Sequence, residues 1–175
     1  MEKSINEQKG FGFVLDTRRI TDKKMKLTLV AMSQEKEELA TWYELPLIHQ
    51  LQVDVQTWCQ NNIIHVQGHM MGNIVQHCVV TNEELTEQID DTFHLLFTTD
   101  SSIAGQYQSP DIDMEEDEVE FLPRGQIYFK NILKEQFGLN INPFPRKSTE
   151  LFEYRESSVE EETKHPFSVL KHLTK

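Results

Sequence analysis

Strict alternation marks the first half of the chain. In residues 50–57, Leu51, Val53 and Val55 alternate with Gln50, Gln52, Asp54 and Gln56. A period of two puts the apolar set on one side of a strand and the polar set on the other. Gln60, Asn61 and Asn62 predict a tight turn. Beyond it Ile64, Val66, Gly68 and Met70 resume the apolar phase against His65, Gln67 and His69. Two such runs around an Asn-rich turn specify a β-hairpin with one face to bury and one face for water. An all-helical fold is excluded, and other parts of the chain must cover the apolar face.

The flanking patterns extend this into a sheet. Residues 26–32 predict a strand with Leu27, Leu29 and Ala31 inward. Ser33 is expected to cap a helix over 33–44 that shows Leu39, Trp42 and Tyr43 on one face and stops before Pro46. Gly72-Asn73 suggests a second turn or a bulge, with residues 74–80 as a further strand of the meander. Thr81, Asn82, Glu83 and Glu84 have capping-box spacing, so a short helical turn is expected there. Residues 88–98 predict a strand with Ile89, Phe93, Leu95 and Phe97 inward and Asp91 near its frayed start. After Gly125 the spacing of Phe129, Ile132, Leu133 and Phe137 predicts a helix, with Gly138 just past its end and 139–144 extended. The expected fold is α+β. It is a single domain over residues 1–175, with an antiparallel meander or barrel-like sheet of about five strands and two or three short helices.

Charge is unevenly distributed. The 175 residues carry 17 Lys and Arg against 29 Asp and Glu, a net charge of -12, and only 38% are hydrophobic. That fits one modest core with long polar excursions. Residues 37–123 hold 17 acids and no Lys or Arg, so this middle stretch repels phosphate and suits a basic protein partner. Residues 99–118 read as an acidic flexible loop, and residues 148–164 as a polar linker to a C-terminal docking segment anchored by Phe167 and Leu170. The flanks are basic. Phe11 and Phe13, near Arg18, Arg19, Lys23 and Lys24, suggest an RNA-stacking patch, with a strand carrying solvated lysines as the bland alternative. No apolar run is long enough to cross a membrane, and residues 1–10 lack the apolar core of a secretory leader. Two cysteines suggest no disulfide framework and a reducing cytoplasm.

Catalytic chemistry is poorly supported. The seven histidines lack the spacing of a structural zinc site, so no metal or other cofactor is expected. Cys78, beside Val79 and Val80, reads as a packed small side chain whose thiol pKa is raised by acidic surroundings. Gly10-Phe11-Gly12 lacks the remainder of a phosphate-binding loop. An enzyme is not expected.

An ordered set of short motifs resembles one family. His65-Val66-Gln67-Gly68 is followed by Gln76-His77-Cys78-Val79-Val80-Thr81 and Glu83-Glu84-Leu85. Then come Gly125-Gln126-Ile127, Leu133, Glu135, Gln136, Leu139 and the run Asn142-Pro143-Phe144-Pro145-Arg146-Lys147, and finally Pro166-Phe167-Ser168-Val169-Leu170. This set resembles the YceD family of large ribosomal RNA subunit accumulation proteins, in the form of its alphaproteobacterial branch. Two departures stand out. Tyr128-Phe129-Lys130 occupies the stretch where the family has Asp and Leu-Gly, and Cys78 is the only cysteine kept of a pair, so a zinc site is not carried over. The resemblance implies a non-enzymatic role in large-subunit ribosomal RNA accumulation, with Gly68, Gln76, Cys78, Thr81, Glu84, Gly125, Pro143 and Pro145 as signature positions. Two partner classes follow as expectations. A basic ribosomal protein or assembly factor would meet Asp111, Asp113, Glu115, Glu116, Asp117, Glu118 and Glu120. Precursor ribosomal RNA would meet Arg18, Arg19, Lys23, Lys24, Arg146 and Lys147.

Overall fold

The computed structural model describes residues 9–107 and 119–147. The hairpin is its centre. Strand β3 (Leu47–Gln60) returns through Asn61 and Asn62 into β4 (Ile63–His77). Both asparagines have positive φ, 52° and 62°, the left-handed pair whose twist matches that of the two strands. Trp58 faces His65, Val55 faces Gly68 and Val53 faces Met70, so both apolar phases lie on one side. β2 (Met25–Val30) lies against β3, and β5 (Glu84–Thr98) lies against β4, all antiparallel. β6 (Val119–Phe121) closes the order β2-β3-β4-β5-β6 but runs parallel to β5. This five-stranded sheet is open, so the barrel-like expectation is corrected. A separate ribbon pairs β1 (Val14–Asp16) with β7 (Gln126–Tyr128). The helices are α1 (Ser33–Trp42), α2 (Ser101–Tyr107) and α3 (Phe129–Asn140).

Several local expectations change. No turn interrupts β4 at Gly72-Asn73; the irregularity is on the facing strand, between Ile48 and Gln50. Gly72 permits it, because a Cβ there would come 2.9 Å from the Gln50 carbonyl oxygen. Residues 81–84 form no helix. Asn82 takes a positive φ of 60° and Glu84 opens β5, because pairing along β4 outweighs the local capping signal. Asp91 is therefore mid-strand, opposite Met70. The cap of α1 is Met32 rather than Ser33, and the Glu35 carboxylate reaches back to accept the Met32 amide at 2.8 Å. Residues 101–107, expected within a loop, are helical, and residues 108–118 lie outside the described part. Gly138 and Leu139 are inside α3, not beyond it. The Tyr43 ring explains the glycine: a Cβ on Gly138 would sit 2.5 Å from the phenolic oxygen, which donates to the Lys134 carbonyl at 2.8 Å.

One face of the sheet is the core. Leu29, Leu51, Val53, Val55, Val66, Met70 and Phe93 share one buried cluster with Phe11, Leu15, Leu39, Ile127, Phe129, Leu133 and Phe137. Phe129, Leu133 and Phe137 recur every four residues, a stripe along α3 that disappears completely from solvent. Glu35 fastens the N-terminal segment to α1 by accepting the amides of Phe11 at 3.1 Å and Gly12 at 2.7 Å.

Gly68 lies beneath the Phe93 ring of the neighbouring strand, where a Cβ would fall 2.1 Å from the ring edge. Gly68→Ala must therefore displace a buried aromatic, at a cost of about 1–3 kcal/mol for overpacking. Urea denaturation should show a lower midpoint with an unchanged slope.

Candidate partner-binding site

The other face of the sheet meets solvent. Lys26, Asp54, Gln67, Asp90, Thr92 and His94 are exposed there, with Trp58, His65 and His69 half-buried. Near the Asn61-Asn62 turn three rings cluster across β3, β4 and β5. Trp58 and His65 lie parallel, 4.8 Å between centres and 3° between planes. His94 completes the cluster, its Nε2 3.1 Å from His65 Nδ1 and its centre 6.1 Å from Trp58. One imidazole donates N–H and the other accepts, so the contact needs at least one neutral ring. Lys24 places its ammonium 4.4 Å from the Trp58 centre. Further along, His69 Nε2 meets Asp90 Oδ1 at 2.6 Å, and the Thr28 hydroxyl donates to Asp54 at 2.8 Å. Among the described residues no three His, Cys, Asp or Glu side chains converge as metal ligands.

The N-terminal basic segment runs beside this cluster. The Cys59 amide donates to the Thr21 carbonyl at 2.8 Å, and Met25 pairs with Thr57, which brings Lys23 and Lys24 to the end of β3. Arg18 is engaged locally: its Nε donates to Asp16 at 2.9 Å, and its side-chain and backbone hydrogen bonds hold the Asp16 carboxyl at about 2. The expected stacking patch on Phe11 and Phe13 is corrected. Phe11 is 2% exposed, and Phe13 packs parallel to Phe129 at 6.1 Å. The exposed-face aromatics beside the cations are Trp58 and the two histidines. Each sits in the polar phase of its strand, but only strand pairing brings the three together.

Of the signature positions, Gln76, Cys78, Thr81, Glu84, Pro143 and Pro145 gather at the opposite end of β4, while Gly68 lies mid-strand opposite Val55 and Gly125 lies beside Thr17 and Thr99. Gln76 Nε2 donates to the Asn142 carbonyl at 2.9 Å, and the Val79 amide donates to the Pro145 carbonyl at 2.9 Å. Asn142 Nδ2 donates to Glu87 at 3.1 Å, and Lys147 Nζ to Glu83 at 2.9 Å. Residues 142–147, stiffened by Pro143 and Pro145, thus strap the β4–β5 turn, and Lys147 is an ion-pair partner rather than a solvated end. Glu84 is exposed opposite His77, and Gly125 adopts a φ of 60° while its carbonyl accepts the Thr17 hydroxyl and amide at 3.0 Å. Cys78 is 2% exposed beneath the strap. Its thiol pKa is lowered to about 7, first by the Thr81 hydroxyl and then by backbone N–H groups of Thr81, Lys147 and Val80. The expected upward shift is therefore corrected: donors in contact outweigh distant acids. Of the acidic positions Glu120 is described, exposed on β6; Asp111, Asp113, Glu115, Glu116, Asp117 and Glu118, like Phe167 and Leu170, lie outside the described residues.

The sequence model described as large ribosomal RNA subunit accumulation protein YceD matches residues 66–174, more than half of the chain. The chain belongs to the YceD family. Its role accordingly lies in the accumulation of large-subunit ribosomal RNA. No curated protein and no solved structure matches this YceD chain significantly. Among the described residues, no helix is long and apolar enough to cross a membrane.

The Cys78 thiol has a testable signature. In a Cys59→Ser variant, ultraviolet thiolate absorbance should develop half-way near pH 7. Thr81→Val removes the leading donor and should move that midpoint upward. The sign for stability follows: a depressed thiol pKa stabilises the fold fully above the unfolded thiol's value, and the contribution is lost as pH falls through about 7.

Proposed function

We propose that this YceD chain supports large-subunit RNA accumulation without catalysis, by binding a basic ribosomal protein or assembly factor in the cytoplasm. One observation carries the reading: β3, β4 and β5, the three longest strands, carry no Lys or Arg. Asp54, Glu84 and Asp90 are exposed on the solvent-facing phase of these strands, and Glu120 is exposed beside them on β6. A surface of one sign steers an oppositely charged partner and disfavours duplex nucleic acid. The acidic positions between 111 and 118 precede β6 directly and would add to the same field. A polyanionic holder suits a basic ribosomal protein, which otherwise binds RNA indiscriminately before assembly.

Depletion of the protein from its own cell should lower the ratio of large- to small-subunit ribosomal RNA. Wild type should restore it. A form with the seven acids of residues 111–120 changed to Asn or Gln should not, and Arg146→Gln should rescue fully. An unchanged ratio on depletion rejects the role for this chain; full rescue by the neutralised form rejects the acidic surface as its means.

A further inference from the structure

The cluster of Trp58, His65 and His94 has no part in that reading. We propose that this corner of the sheet binds single-stranded RNA, with Trp58 as the stacking platform and the segment from Lys23 to Lys26 as the phosphate contact.

Three observations support it. The first is the setting of Trp58. Lys24 approaches from the β2 side, next to the Met25–Thr57 pair, while His65 approaches from β4 as the direct partner of Trp58. The indole thus stands between an ammonium at 4.4 Å and an imidazole at 4.8 Å. The ammonium is held on an exposed lysine. A base that takes its place gains a stronger contact than the one displaced, and the freed ammonium is within reach of that nucleotide's phosphate.

The second is charge. Lys23 and Lys24 lead into β2 and Lys26 lies on it beside this corner, with Asp22 as the adjacent acid. The strands beyond carry no cation, so the field admits a polyanion here and rejects it over the rest of the sheet. The third is the array itself. Trp58, His65 and His94, with planes within 13° of one another and centres 4.8, 5.3 and 6.1 Å apart, gather near-parallel rings from three adjacent strands. Sequence-tolerant recognition of single strands uses such sheet-borne rings, to which the stacked bases of a duplex are closed.

The test uses the full chain with Trp42→Phe, so that Trp58 is the sole tryptophan. An oligouridine RNA and a matched RNA duplex are titrated at low and moderate salt. Single-stranded RNA should quench Trp58 emission, and the duplex should bind at least tenfold more weakly. Trp58→Ala should weaken RNA binding, followed by anisotropy, by about tenfold or more, while Trp58→Phe keeps most of it. Lys23→Gln with Lys24→Gln should weaken binding and lower the slope of log Kd against log salt by about one to one and a half. Circular dichroism melts confirm that each variant folds. No quenching, equal binding of duplex, or unchanged affinity in both the Trp58→Ala and the double lysine variants would overturn the proposal. Quenching by a polyglutamate peptide as strong as that by RNA would overturn it too, reassigning the corner to an acidic protein. The neutralised acidic form should bind RNA at least as well as wild type, which separates this corner from the surface offered to a basic partner.

Discussion

The β3–β4–β5 ladder has one apolar face, and most of the remaining structure is arranged to keep water off it. The cover comes from both ends of the described chain. Phe11 and Leu15 arrive from the N-terminal side, and Ile127, Phe129, Leu133 and Phe137 from the C-terminal side. Each fully buried side chain of this size contributes roughly 1.5–3 kcal/mol. Cross-links hold the two halves of the cover together: Leu15 pairs with Ile127, Thr17 bonds Gly125, and Tyr43 bonds the Lys134 carbonyl. Glu35 holds three amides of the N-terminal segment and α1 with one carboxylate. Losing it would leave those donors without their partner where the chain enters the core.

Packing the core residues of α1 and α3 on one face leaves the other face to solvent. The sheet itself is chemically divided along its length. The cations and the ring cluster lie at the Asn61-Asn62 end, while the residue 142–147 strap, bonded to Gln76 and Glu87 of the core-facing phase, and Cys78 lie at the Thr81-Asn82 end. His65 and Gln76 are eleven positions apart on one continuous strand, a separation on the order of 35 Å.

The hairpin was legible because alternation and an Asn-Asn turn are local signals, and β3 and the first part of β4 follow them. Elsewhere tertiary demands outweighed local ones. The capping-box spacing at residues 81–84 yields to strand pairing, and Gly138 is a residue inside α3 rather than its stop, glycine there because the Tyr43 ring occupies the space of a side chain. Gly72 marks an irregularity that lies on the opposite strand. The site was half legible. The cations at 18–26 stood out, but Phe11 and Phe13 were natural aromatic companions only by sequence proximity, and both pack inward. Trp58 is more than thirty positions from Lys24 and becomes its neighbour through β2–β3 pairing.

The sequence by itself determined the periodicity of the strands, the stripe on α3, the split of charge between middle and flanks, and the motif order that marks the family. These are properties of spacing and composition, which need no fold to be read. The tertiary structure alone decided which surfaces those residues build. It opened the sheet instead of closing it, turned Phe11 into core and laid Phe13 half-buried against Phe129, stacked Trp58, His65 and His94, and placed four hydrogen-bond donors around the Cys78 sulfur. The physical reason is that a ring stack or a lowered thiol pKa depends on distances of a few ångströms between groups far apart along the chain. Those distances are set by strand register and by what must be buried.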